Sequence, residues 1–590
     1  MDRCKCLSQI VPVPALAATV LFAVLSNGIG SGDLFGEQTR VTTGSRTLPV
    51  APLGKCNAWP RFRFQIEKTP VHVPADLSEE DRQGTFTDDA VPVLPYLLQD
   101  NYSRQRTKGN LPTIQVESAA LCATFYPSLG GRMISLYDKR QRRELLFDNP
   151  VLQFANLAIR NAWFSGGVEW NGPLYGHSLL TCSHVFAAVV QSLRGPILRL
   201  YEFDRALETT WQVDVFLPHD DDRLWIHVKA INPNSHDIQF YWWTNIAVPL
   251  TCGTRVISPA DYALSHEESG NVRVQFPLVA GFDGSYPLNY PSSKSIFFRK
   301  PGNRKPWSVC VDAEGRGLSH VSTATLFGRK FFTWGNGRGG KRWMEFLSES
   351  GRGDYIEIQG GVTPTQLQTR PLAAGASIEW TECISPLAMN PKAAHDPNYA
   401  AACEAAGKVV EERPPAATLK EIDAFLRTQA GAVPAWLLHS GSGWGALYER
   451  RTGRKLSTGL LFESIVGDEE RPWSELLASG AFSSKSLNRP PASYNVAAGW
   501  MDALRKSAQA RGVTWLHHLY LGVAETEKGD FQEAREHFNA SLALEPNASA
   551  RRCLALLDEH SGDLAAAERQ YLRAWKLGGN DRNLAIEIGE

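Results

Sequence analysis

The chain has almost no net charge: 61 Lys and Arg stand against 62 Asp and Glu in 590 residues, a formal net charge of -1 at pH 7. No global field draws it to DNA, RNA or an acidic membrane surface, so nucleic acid is not an expected partner. Close cysteine pairs are also scarce. Of ten Cys only Cys4 and Cys6 are near neighbours, which argues against a dense disulfide framework and against a Cys-based zinc site. Beyond residue 40 no run of 18 apolar residues occurs, so no later segment is long enough to cross a bilayer as a helix. Phosphate-loop, H-E-x-x-H and G-x-S-x-G patterns are missing. His177, His184 and His266 lack metal-ligand spacing, and neither a metal nor a cofactor is expected.

What the chain has in quantity is tryptophan, 17 residues within an aromatic fraction of 10%. Such large flat rings are packed in a core or used for stacking, as on a sugar. The length allows roughly two to four domains. Arg3 and Lys5 precede an apolar run from Ile10 to Leu25, so residues 1–30 read as a signal peptide or N-terminal anchor, and the protein as secreted or periplasmic. Residues 31–110, rich in Pro and polar residues, read as an irregular lead-in with edge strands.

From 111 to 386, runs of four to nine β-branched and aromatic residues are separated by Gly, Pro, Asn and Asp, the pattern of a large all-β sandwich. Within Leu224 to Ile231, His227 and Lys229 alternate with Ile226 and Val228, as in a strand with one wet face. Residues 387–510 become Ala-rich and helical and read as a linker or brace. There Thr418 and Glu421 are spaced as a capping box, beside an apolar stripe of Leu419, Ile422, Phe425 and Leu426. In residues 511–590, Gly529-Asp530-Phe531, Ala534 and Phe538 recur 33 residues later as Gly562-Asp563-Leu564, Ala567 and Tyr571, a tetratricopeptide-like repeat. Two visible units fall short of a self-sufficient stack, so neighbouring helices must cap them, and the tail serves as a brace or as a surface for a protein partner.

Two stretches carry candidate chemistry. The first runs from Trp163 to His177, where Glu169 follows Gly166-Gly167 and is flanked by Trp163, Trp170 and Tyr175: backbone that can approach a ligand, aromatic faces, and a carboxylate. The second contains Trp334 and then Tyr355-Ile356-Glu357-Ile358-Gln359, whose alternation sets Glu357 on the same strand face as Tyr355 and Gln359. Gly335-x-Gly337-x-x-Gly340 matches a dinucleotide fingerprint in letters only, because little room for a crossover helix follows it.

The ordered set Gly130-Gly131-Arg132, Asp138-Lys139, Trp163 to Asn171, Trp242-Trp243-Thr244-Asn245, Trp334 to Gly337 and Tyr355-Ile356-Glu357 resembles a bacterial family known as a domain of unknown function and commonly fused to tetratricopeptide repeats. The resemblance covers roughly Leu111 to Pro386 and implies a galactose-mutarotase-like β-supersandwich, a fold shared by sugar epimerases, glycoside hydrolases and polysaccharide lyases. The expected function is that of a carbohydrate-active enzyme, with glycoside hydrolysis by the pair Glu169 and Glu357 as the leading expectation. An aldose epimerase using Glu357 with His177 comes second, and a non-catalytic sugar-binding body third. Arg132, Asn171, Asn245 and His177 are the expected hydroxyl binders, Trp170, Trp243 and Trp334 the stacking platforms, with Trp163 beside them. Replacing either Glu by Gln is expected to abolish turnover with little change in stability.

Overall fold

Period-two alternation decides which side chains each strand buries, and in the computed structural model it builds two antiparallel sheets packed face to face. The structure describes residues 39–589 apart from 69, 87–90, 268–269, 482–488 and 580. The targeting segment expected over 1–30 lies outside the described residues. Among those described, no helix is long and apolar enough to cross a membrane.

The larger sheet has twelve strands and begins at Arg40–Val50, which pairs with Thr107–Glu117, so residues of the lead-in form one edge of the β body. Its centre runs through Arg132–Asp138, Val168–Asn171, Trp243–Pro249, Tyr355–Gly361, Gly328–Thr333 and Lys294–Arg299. The second sheet has nine strands, with Gly195–Asp204, Thr209–Phe216, Leu224–Ile231 and Ser377–Ala388 at its heart. Between the sheets lies one continuous core: Val168, Trp170, Ile246, Ile356 and Ile358 from the first meet Val213, Val215, Ile226, Val228 and Trp380 from the second. Each such side chain contributes about 1.5–3 kcal/mol on burial. The sheet parity is therefore locked, because slipping one residue would turn every one of them outward.

The far side of the second sheet is covered by the helices Tyr399–Glu412 and Ala416–Gln429, whose Ala402, Ala406, Leu419 and Ile422 pack on Phe216, Trp225 and Val309. The second helix starts at Ala416, so Thr418 lies inside its first turn and makes no capping box; Pro415 holds the cap position in extended backbone. The glycine-rich Gly335 to Gly340 stretch does open a helix, Arg338–Leu347, but the strands on either side of it, Gly328–Thr333 and Tyr355–Gly361, are antiparallel neighbours. A parallel βαβ unit, which a dinucleotide fingerprint requires, is thereby absent at this point.

At the C-terminal end the helices Trp515–Lys528, Phe531–Leu544, Ala548–His560 and Leu564–Gly578 pack in sequence as the repeat spacing implies. Ala534 and Ala567 are fully or almost fully buried, and Phe538 fills the space beside Gly522. This region shares a core with the lead-in: Trp59, Phe62, Leu94 and Leu97 are buried with Trp473, Trp500, Tyr520 and Leu584. Polar ties reinforce the join. Trp59 Nε1 donates to Asp581 Oδ1 at 2.9 Å, and Arg552 donates to the Pro60 carbonyl at 2.7 Å. Of the repeat positions, Leu542 and Trp575 pack on this core, whereas Leu544 and Leu577 are exposed. A chain ending at Pro491 strips one side from the shared core, and the expected result is poor solubility and loss of the lead-in's structure. Solubility and thermal unfolding check this; a truncated chain melting at the full-length temperature would contradict it.

Candidate functional site

The outer face of the larger sheet, opposite the apolar core, carries the polar residues. Register makes this explicit: Asn245 stands across from Glu169 on one side and Gln359 on the other, Gln359 across from Lys330, and Glu357 across from Phe332. Directly opposed residues share a face, so these side chains form one patch. Above it lies a pocket of about 330 Å³ lined by Trp163, His177, Asn245, Lys330, Trp334, Glu357, Gln359 and Gln366, among others.

Glu169 sits behind this pocket. The Gly166-Gly167 turn brings the chain into its strand: both glycines have positive φ, and a Cβ on Gly167 would lie 2.3 Å from the Met133 carbonyl oxygen. Gly167 thus approaches the backbone of the adjacent strand, and a Cβ on Gly166 would lie 2.9 Å from the Phe147 carbonyl oxygen. The Glu169 carboxylate is 5% exposed and heavily engaged. Its Oε1 accepts from Thr181 Oγ1 at 2.6 Å and pairs with the Arg132 guanidinium at 2.8 Å. Its Oε2 accepts from Trp163 Nε1 at 3.0 Å and Asn171 Nδ2 at 3.3 Å, and meets His177 Nδ1 at 2.9 Å. Burial alone would raise its pKa, but Arg132 first and His177 second hold it well below the usual carboxylate range. An ionised carboxylate only accepts, so His177 Nδ1 is the donor and Nε2 is left for the pocket.

Glu357 is the carboxylate that does line the pocket. Its Oε2 accepts from Gln359 Nε2 at 2.7 Å, and Gln359 Oε1 in turn accepts from Gln366 at 2.8 Å. Burial raises its pKa above the ordinary range; the attraction of His177 offsets part of this, while Glu169 adds to it. Lys330 shares the pocket, donates to Gln366 Oε1, and is pushed by burial down to about 7, against the pull of Glu357.

Several expected binders are elsewhere. Trp170 is adjacent to Glu169 on a strand and so points the opposite way, into the core between the sheets, where its Nε1 donates to the Gly131 carbonyl. Trp243 is fully buried under Leu77 and Phe297. Neither is a stacking platform; Trp334 and Trp163 line the pocket instead. Arg132 is buried, spent on Glu169, Thr181 and the Phe164 carbonyl. Asn171 accepts from Ser178 N at 3.0 Å and pins the loop that carries His177. Asn245 does reach the pocket, and its buried Oδ1 has no partner within the protein. Of the three histidines only His177 lines it; His184 stacks on His439. Among the described residues no group of three or more His, Cys, Asp or Glu is set to hold a metal. Lys330 and Gln366 were not expected, although Lys330 shares the parity of Phe332 and Trp334, which was the available signal.

The profile of a family described as "Domain of unknown function (DUF5107)" matches residues 88–382. A crystal structure of a tetratricopeptide-repeat-domain protein from Parabacteroides distasonis is similar at 18% identity and a TM-score of 0.66, covering 93% of this chain and 82% of that one. Galactose mutarotase-like proteins from Clostridium acetobutylicum and Lactobacillus casei align over 47% of this chain each and 96% and 100% of their own, at 10% and 11% identity and TM-scores of 0.34 and 0.31.

Proposed function

The chain belongs to the DUF5107 family, a mutarotase-like β-supersandwich followed by repeat helices, and from the pocket's geometry we propose that it is a carbohydrate-active enzyme that interconverts the anomers of a reducing sugar. The observation that carries this is the facing pair in one small pocket: Glu357, and His177 with its Nδ1 anchored on Glu169. Glu357 takes the proton from the C1 hydroxyl while His177, protonated on both ring nitrogens with its Nδ1–H held by Glu169, gives its Nε2 proton to the ring oxygen. The C1–O5 bond breaks, the aldehyde rotates about C1–C2, and ring closure on the other face returns both protons. Trp334 and Trp163 give the pocket an apolar wall, and Asn245, whose Oδ1 has no partner in the protein, adds an acceptor to its lining.

Hydrolysis by paired carboxylates is less well supported. That chemistry needs both carboxyls at the glycosidic bond, one of them able to carry a proton. Glu169 is walled off by its partners and is held ionised.

Anomer exchange measured by saturation-transfer NMR on a panel of reducing sugars tests the proposal. Catalysed exchange should rise with pH as Glu357 loses its proton, the rising limb lying above the ordinary carboxylate value of about 4.3 because burial raises it. No catalysed exchange with any sugar in the panel would overturn the reading.

A further inference from the structure

A second, larger cavity of about 740 Å³ meets the Glu357 pocket at Leu157 and His177, the two residues that line both. Its walls come from three parts of the chain: Trp59 and Asp100 of the lead-in, Asn156 and Asn161 of the β body, and Asn583 and Glu587 of the last helix. We propose that this cleft binds the rest of a neutral oligosaccharide whose reducing-end ring occupies the Glu357 pocket, so that the substrate class is a reducing glycan. The proposal rests on the anomer-exchange reading for the identity of that end.

Size, polarity and charge support it. The Glu357 pocket, at about 330 Å³, is near the lower bound of roughly 300 Å³ for ligand sites, while the cleft falls well within the upper range. Side-chain amides recur along the cleft, at Asn57, Asn156, Asn161 and Asn583, and an amide can both donate to and accept from hydroxyls. Asp100 Oδ2 accepts from Asn57 Nδ2 at 3.0 Å, and its buried Oδ1 has no hydrogen-bond partner in the protein. Charges within the cleft nearly cancel. Arg552 is committed to Glu587, with Nε–Oε2 at 2.8 Å, leaving Arg61 against Glu67 and Asp100. No strong field of one sign favours an ionic ligand. Tyr175 and Ile66 add apolar surface between these groups.

The test uses the full chain and two variants that fill the cleft from two of its walls, Asn156→Trp and Asn583→Trp; neither residue lines the Glu357 pocket. Asn156 is exposed and Asn583 half-buried, so both variants should fold, and thermal unfolding checks this. Anomer exchange is followed on glucose, galactose, mannose and xylose and on their reducing homo-oligosaccharides up to pentasaccharides, with calorimetric binding of the pentasaccharides in parallel. In at least one series the unmodified protein should gain about tenfold or more in kcat/KM with chain length, since remote contacts are spent at the reacting ring. Each Trp variant should remove that gain and weaken pentasaccharide binding by about tenfold, with monosaccharide exchange kept within about twofold. Exchange that is independent of length in every series and unmoved by either variant would overturn the cleft while upholding the proton-transfer reading. Pentasaccharide binding that the variants abolish, with no catalysed exchange in any sample, would uphold the cleft and overturn that reading.

Discussion

Glu357→Gln is expected to lower catalysed anomer exchange by roughly 10²–10⁴-fold, the usual contribution of a positioned acid or base, without weakening the fold. Gln keeps the shape of the side chain but cannot take the C1 hydroxyl proton. The stability half follows from linkage. Burial raises the native pKa of Glu357, so its favourable contribution is fully present below the unfolded carboxylate value and is lost as pH rises through the native one. At neutral pH the charged carboxylate is therefore the less favourable tenant, and the Gln variant should melt at the same temperature as the unmodified chain or higher, the gap closing in acid. Exchange NMR and melting curves at two pH values measure both halves; a Gln variant with full exchange rates would remove Glu357 from the chemistry.

Glu169→Ala has the opposite signature. It leaves the Arg132 guanidinium buried without its counter-charge, and breaking a buried pair from one side costs about 3–5 kcal/mol. Denaturant unfolding should register a loss of that order, and Glu169→Gln a smaller loss of the same sign. Here the native pKa is depressed, so the stability Glu169 contributes is present above the unfolded carboxylate range and lost only as pH falls through the lower native value. Replacing both partners, Arg132→Met with Glu169→Leu, removes the stranded charge and should recover most of the stability. Exchange should stay low in that double variant, because His177 Nδ1 has lost the acceptor that fixes its ring. An Ala variant as stable as the unmodified chain would show that the pair is not the anchor its geometry implies.

The sandwich and the repeat helices were legible because both are periodic. Alternation at Leu224 to Ile231 reports a strand, although the helices over the second sheet bury His227 on the face expected to be wet, and the recurrence of Gly529-Asp530 at Gly562-Asp563 reports a repeat that tertiary contacts left in place. Glu357 and Gln359 could be set on one face by the same logic. Parity also held a warning that the motif obscured: Glu169 and Trp170 are neighbours on one strand and cannot share a pocket. The fate of Trp243 was not readable, since it has the right parity but is covered by Leu77, 166 positions earlier in the chain. Nor was the division of labour between the two glutamates. Arg132 and His177 reach Glu169 from a different strand and from a non-periodic loop, and only their convergence makes it an anchor in place of an acid. For this cause the expectation of little change in stability for a Gln variant at Glu169 gives way to a predicted loss.

The bond from Trp59 to Asp581 spans 522 positions, and it bears on how the molecule comes into being. Residues of the lead-in leave the ribosome early, yet the partners that bury Trp59 and Phe62 are among the last to be made. Until the final helices emerge, those aromatic side chains have no native home, and the nascent chain must carry them unpaired through synthesis of the whole β body. Such long-range closure slows folding and lengthens the exposure of sticky intermediates. Chaperone dependence during synthesis should accordingly concentrate on the first hundred residues, and a rearranged gene that joins the repeat helices directly ahead of the lead-in would shorten that wait.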